Sequence, residues 1–510
     1  MKKYTYRLTF VCLLFITTEC VDLQKDNPNA PTETSFYKTQ QDAIYAINAA
    51  YSTAQKLELY SSNLEYVYDL RADDMEGTGN LTKYGDFPTL EAFTLNSTFS
   101  FGYGYWRFLF EGVFRCNILL DKVEGITFTD ASRKQSIIGE AKFLRGFYYY
   151  HLVNNFGDVP LFTSAVEQSE VAVGRTPKAQ VYDQIISDWQ DATTSLPTAQ
   201  EWGKDNAGRA SKGAAQAFLG KLFLFLGRYQ EAKNELGEVI SSGQYSLVKD
   251  YYSNFTEENE NNLESVFEIQ YAPTPGDVWS GGQSNDSGSE GNLYHFLYGN
   301  PQGGSGWNIQ PSDQLVNEFE PGDPRKDATV YYQGGVDFID GDGKPKPWDL
   351  PVGQYGNRKY FKNSPTNVFA GQGTNIRVMR YSDVLLMYAE TLLETGSPLT
   401  EVLGYINQVR ARVGMPDYPT AEYPANTAQE VFQILMHERM VEFGGEQLRW
   451  LDLVRWDNNG KIDMTPFVKT PTNDPDRKRP AFNKAIHKVL PIPQQELDIN
   501  PKLGPQNPGY

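Results

Sequence analysis

The side chains able to do metal or nucleophile chemistry are few in this 510-residue chain: four histidines (His151, His295, His437, His487) and three cysteines (Cys12, Cys20, Cys116). The stretch HERMV at 437–441 begins like a zinc-binding helix, but a second histidine one turn on is required and Val441 stands there. DFIDGDGK at 337–344 has carboxylates off the spacing of a calcium loop and no closing glutamate, so it reads as a solvated turn. GGSGW at 303–307 lacks the spacing of a serine nucleophile elbow, and no glycine-rich phosphate loop occurs. The 64 acidic residues offer many carboxylate pairs for glycoside hydrolysis, and none is singled out. The residues point to no catalytic group, no metal and no cofactor.

Aromatic side chains in loops are a different signal. Trp279, Tyr294, Trp307 and Trp348 lie in a section rich in Gly, Pro, Asn, Ser and Asp, where a core role is harder to argue. A flat ring can cover the apolar C–H face of a sugar while nearby polar groups bond its hydroxyls. The competing reading is that each ring anchors its own loop. Trp307 is the strongest candidate for ligand contact.

Charge excludes one class of partner. The net charge is −18 and no basic stripe appears, which argues against nucleic acid. At the N-terminus Lys2, Lys3 and Arg7 precede the apolar run LTFVCLLFI and then Cys20, the order of an export signal ending at a lipidated cysteine. Residues 1–19 are therefore expected to be a signal peptide, Cys20 the lipid attachment point, and 20–35 a polar tether. Cys116 then has no thiol to pair with inside the fold and is expected to be a buried apolar filler.

The elements that would position such loops are mostly helical. Apolar spacing predicts helices over 39–55, 105–123 and 132–156, the last stopped by Gly157. That third helix carries Phe147, Tyr148, Tyr149 and Tyr150 in succession, which point to every side and require neighbours on several sides. Residues 219–240 have the spacing of a tetratricopeptide unit, with Gly220 and Ala232 small where two helices approach. Helices are expected again at 382–394, 400–413 and 427–443, the last with a capping box at Thr427 and Glu430. Short strands are expected at 266–271 and 377–380. Alternating charges at Arg439, Glu442, Arg449, Asp452 and Arg455 read as ion pairs.

Several long segments resemble the SusD/RagB family of outer-membrane nutrient-binding lipoproteins: AKFLRGFYYYHLVNNFGDVPL (141–161), SKGAAQAFLGKLFLFLGRYQEA (211–232), RYSDVLLMYAETL (380–392) and HERMVEFGGEQLRWLDLVRW (437–456). INQVRARVG (406–414) and the tail from LPIPQQELDINP (490–501) to QNPGY (506–510) follow in family order. The resemblance implies a mainly α fold over residues 36–510, with a tetratricopeptide-like scaffold of helical pairs at 36–255 and 375–460. It implies a loop-rich lobe with short β-strands at 256–374 and an extended segment at 461–510. It further implies non-catalytic capture of a glycan, or of a peptide, and delivery to a SusC-like TonB-dependent transporter. By the same resemblance the loop after ADDMEG (72–77) belongs to the ligand platform, which adds Asp73, Asp74 and Tyr84 to the candidates. That loop has no tryptophan where starch-binding members stack sugar, so Tyr84 or Phe87 would have to serve. A secreted hydrolase and a purely protein-binding scaffold are the remaining readings.

Overall fold

The computed structural model describes residues 36–273, 291–299, 306–339, 344–360, 372–469, 479 and 481–510. Its helices are α1 (Gln40–Ala54), α2 (Asn63–Asp69), α3 (Gly102–Lys122), α4 (Ala131–Phe156), α5 (Lys178–Ser195), α6 (Lys212–Phe225), α7 (Tyr229–Ser241), α8 (Tyr294–Leu297), α9 (Tyr381–Glu394), α10 (Leu399–Arg412), α11 (Ala428–Phe443) and α12 (Arg449–Asn458), besides several shorter turns. The strands are short: β1 (Met75–Gly77), β2 (Ser265–Ile269), β3 (Ile309–Pro311), β4 (Val330–Tyr331), β5 (Phe338–Ile339), β6 (Pro345–Lys346), β7 (Gly356–Asn357) and β8 (Ile376–Arg380). The fold is mainly α. Among the described residues no helix is long and apolar enough to cross a membrane.

The helices form one continuous array. α1 packs on α3, α3 on α4, α4 on α5, α5 on α6, α6 on α7, α7 on α9, and α9 on both α10 and α11. At the predicted tetratricopeptide unit, α6 and α7 approach so closely that a Cβ at Gly220 would lie 2.6 Å from the Leu236 side chain. Larger residues there would force the pair apart. Gly227, at φ +71, makes the turn between them.

α4 is touched by α1, α3 and α5 together, which resolves its run of aromatics. Phe147 packs on Tyr60, Phe218 and Phe267. Tyr148 donates to the Ala50 carbonyl at 2.6 Å, and Tyr149 donates to the Phe162 carbonyl at 3.0 Å. Tyr150 leans on Trp189, and its hydroxyl has no partner among the described residues. It borders an internal cavity of about 30 Å³, room for a single water. His151 bridges the Tyr60 and Tyr68 hydroxyls, 3.0 Å from each, and burial pushes it down to about 3, so it stays neutral. Gly112 of α3 sits under the Tyr148 ring, where an added Cβ would come within 2.3 Å. Gly112→Ala should therefore cost about 1–3 kcal/mol by overpacking, since the Tyr148 hydroxyl ties the ring in place. Urea midpoints of the variant and wild type measure it, and an unchanged midpoint would mean that the ring is free to move.

The loop-rich section is organised by strand pairs that bring remote residues together. β2 pairs antiparallel with β8, with two register breaks, and β1 pairs with β3 so that Met75 faces Pro311 and Gly77 faces Ile309. β4 pairs with β7 and β5 with β6. Trp348 stacks on Tyr331 at 5.7 Å, with Phe338 at its edge, in a small apolar cluster of its own. Its indole N–H donates to the Gln354 carbonyl, so Trp348 anchors its loop. Cys116 is fully buried in α3, as expected, and burial pushes its thiol up to about 12. The DFIDGDGK turn falls partly outside the described residues, which contain no cluster of His, Cys, Asp or Glu able to hold a metal.

Candidate functional site

The β1–β3 ribbon sets the geometry. It continues past Gly77 through Thr78, whose backbone N–H donates to the Asn308 carbonyl at 2.9 Å and whose hydroxyl donates to the Trp307 carbonyl. Asn80 Nδ2 donates to the Gly306 carbonyl at 2.9 Å. The loop after the acidic motif and the segment carrying Trp307 are thus laced together across more than 220 residues of sequence.

Trp307 is held, not merely displayed. Its backbone N–H donates to the Phe296 carbonyl at 3.1 Å, and its indole N–H donates to the Tyr355 carbonyl at 2.8 Å. Its φ is +48, a left-handed conformation that costs a bulky residue about 1–3 kcal/mol. The residue is half-buried. Beside it Phe296, half-buried, makes an edge-on contact with the half-buried Tyr84 at 6.2 Å. Tyr84, Phe296 and Trp307, all half-buried, are brought into one neighbourhood by these contacts, and the Asn80 amide joins the two loops there. Val352, 83% exposed, adds an apolar side chain on the loop leading to Tyr355.

The other candidates go elsewhere. Tyr294 is 1% exposed, on the inward side of α8 against Tyr298 and Tyr360. Two residues on, Phe296 emerges at the surface, because one helical turn cannot show both rings to the same side. Asp73 and Asp74 are buried too. The Arg449 guanidinium holds Asp73 through two bonds of 2.7 and 2.9 Å, and Gln314 donates to it at 2.9 Å. Asp74 accepts from the Gly445 N–H at 3.1 Å, and burial, then the nearby Asp73 charge, push it up to about 6. These three residues are corrections to the expected platform: they fasten β1 and α8 to the body beneath it. Phe87 is sandwiched between Tyr66 and Phe101, at 3.9 and 4.7 Å, and is packing rather than platform. Trp279 and Cys20 lie outside the described residues. Phe296 and Asn80 were not distinguishable in the sequence, because one is a phenylalanine in an apolar triplet and the other an asparagine in a polar loop.

His437 of HERMV is structural. It sits 2.9 Å from Glu318 and 3.3 Å from Glu320 and packs on Tyr423. Burial opposes its charge, but those two carboxylates outweigh it and raise the imidazole to about 9.

Comparison with known proteins agrees with this architecture. Residues 239–510 match the SusD family, and residues 26–224 match a family described as starch-binding and associating with the outer membrane. A SusD-like protein of Formosa agariphila is 28% identical over the full length of both chains. A SusD-like protein of Bacteroides ovatus is 24% identical over 89% of this chain and 83% of its own. Among solved structures, a laminarin-binding SusD-like protein is 28% identical, with a TM-score of 0.74 over 93% of this chain and 100% of that one. A SusD superfamily protein of Bacteroides vulgatus is 27% identical over the same shares, with a TM-score of 0.72. With more than half of its length matched by the family, and solved relatives superposing along nearly all of it, the chain belongs to the SusD family.

Proposed function

We propose that this protein is a lipid-anchored, non-catalytic glycan-binding protein of the outer cell surface, which captures oligo- or polysaccharide and hands it to a SusC-like TonB-dependent transporter. The observation that carries the reading is Trp307: a half-buried tryptophan held at a left-handed backbone position by three separate hydrogen bonds. A chain does not hold a large apolar ring at a strained surface position without use for it. Half-buried aromatic rings beside an amide suit the C–H faces and hydroxyls of sugar rings. The solved relative described as laminarin-binding supports the same ligand class. Cys20 would supply the anchor through its acylated thiol. The acidic charge of the chain favours a neutral glycan over an anionic one.

Calorimetric titration with laminarin, starch, xylan, mannan and a set of peptides tests the reading. One polysaccharide should bind, and Trp307→Ala should weaken it by about 1–3 kcal/mol, the scale of one aromatic stack on a flat ring, while Trp307→Phe retains most of the affinity. Binding of a peptide and of no glycan would replace the ligand class. Release of reducing sugar from any polymer would end the non-catalytic reading.

A further inference from the structure

A cleft of about 510 Å³ opens on the helical array, where the short helix Ala199–Trp202 and the turn after it face residues 242–245 and 261–268. A second depression of about 360 Å³ lies beyond the same turn, bordered by Tyr51 and Gln55. Asn206, Gly208 and Arg209 border both, so the turn is a low ridge between two hollows. Gly208 is seated directly on the Gln270 side chain, at φ +86, where a Cβ would come within 2.3 Å. The ridge is therefore fixed in height. Both volumes lie within the ~300–1,000 Å³ usual for ligand sites. No residue of the Trp307 face borders either hollow.

The lining has a definite chemistry. Trp202 is half-buried, its indole N–H donating to the Ala210 carbonyl at 2.9 Å. Arg133 stacks on that ring at 5.1 Å; Trp202 borders the cleft and Arg133 does not. Leu263, 64% exposed, stands on the facing wall. Amides, three serines and Tyr245 make up most of the rest. Gln244 Oε1 accepts the Gln200 N–H at 3.3 Å and Asn206 Nδ2 donates to the Trp202 carbonyl at 3.3 Å, which leaves Gln244 Nε2 and Asn206 Oδ1 without a partner among the described residues. Glu268 is held by Asn261, Asn375 and Arg377, and Arg209 by Glu140 and Asn48, while the exposed Lys204 of the cleft and Asp205 of the second depression are adjacent charges of opposite sign. A flat ring, an exposed aliphatic side chain and uncommitted amides, with little net charge, match a sugar's C–H face and its hydroxyls. We propose that this cleft is a second carbohydrate site, for a neutral glycan chain lying across the ridge. The proposal rests on the glycan reading above and extends it to polymer capture at two places.

The test uses the mature chain, its Trp307→Ala variant, and Gln200→Cys in both backgrounds, each treated with a bulky maleimide. Treated protein without Gln200→Cys is the labelling control; the buried Cys116 thiol should not react. The probes are laminarin, starch, xylan and mannan, each as polymer and as short oligosaccharides. Trp307→Ala should keep residual affinity for the polymer that binds, and blocking Gln200→Cys should remove what remains. In the background that keeps Trp307 the block should weaken polymer binding on the order of tenfold or more, through lost bivalency, and leave short oligosaccharides unaffected. Polymer affinity unmoved by the block in both backgrounds overturns the second site and leaves the first standing. Absence of binding by unmodified protein overturns both. If the block instead abolishes co-purification with a transporter barrel and spares glycan affinity, the cleft is a protein contact and the carbohydrate assignment falls.

Discussion

Replacing Glu442 by Ala should cost about 3–5 kcal/mol, because it removes the shared partner of three buried guanidinium groups. Arg412 reaches its carboxylate at 2.6 Å, Arg380 at 2.8 Å and Arg325 at 3.2 Å, with every side chain in the group nearly or fully buried. Burial alone would raise the Glu442 carboxyl, but Arg412, Arg380 and Arg325 outweigh it and hold it well below the usual carboxylate range. Its contribution is thus complete above the ordinary glutamate value and is lost only as pH falls toward the lowered one. After the substitution the guanidiniums keep Glu264, Glu438, Glu446 and Asp323, but Arg412 Nη2, which bonds both Glu442 oxygens, is left buried without its acceptor. Glu442→Gln retains the volume and one acceptor and should lose less. Guanidinium-chloride midpoints compare the three proteins. A loss below ~1 kcal/mol for the alanine variant would mean that water enters and screens the cluster.

This cluster also marks the boundary of what the sequence discloses. Arg439, Glu442, Arg449, Asp452 and Arg455 read as an ion-pair network, and they make one. The alternating charge, however, looks like a solvated helix face, whereas α11 is buried along almost its whole length. Only Asp452 with Arg455 is a local pair, three residues apart. Arg449 meets Asp73 from 376 residues away, and Arg439 meets Asp383 from the next helix pair. Helix ends were legible because capping is local: the Thr427–Glu430 box and the positive-φ Gly157 stand where expected. The tetratricopeptide pair was legible because its small residues repeat at helical spacing. Strand pairing was not, since Glu268 of β2 meets Asn375, just before β8, from 107 residues away, and the register of the pair breaks twice. For the same reason Trp307 could be singled out by composition, while Tyr294 and Phe296 could not be told apart.

Substituting Glu65 by Gln should make the protein more stable at neutral pH and leave it unchanged below about pH 4. α2 carries Glu65 and Asp69 one turn apart, both buried. Asp69 accepts the Tyr298 hydroxyl at 2.6 Å, whereas neither Glu65 oxygen has a hydrogen-bond partner among the described residues. Burial first, and the Asp69 charge second, raise the Glu65 carboxyl well above its ordinary value. A carboxyl that keeps its proton in the fold but loses it when unfolded makes stability fall as pH rises past the unfolded value. The slope is about 1.4 kcal/mol per pH unit for one group, until the folded value is reached. The amide of the Glu65→Gln variant cannot ionise and removes that share, while Asp69 and Asp74 keep theirs. Denaturant midpoints at pH 4, 6 and 8 should show the variant and wild type diverging upward from coincidence. Parallel curves would mean that Glu65 is ionised in the fold, with a counter-charge or water reaching it.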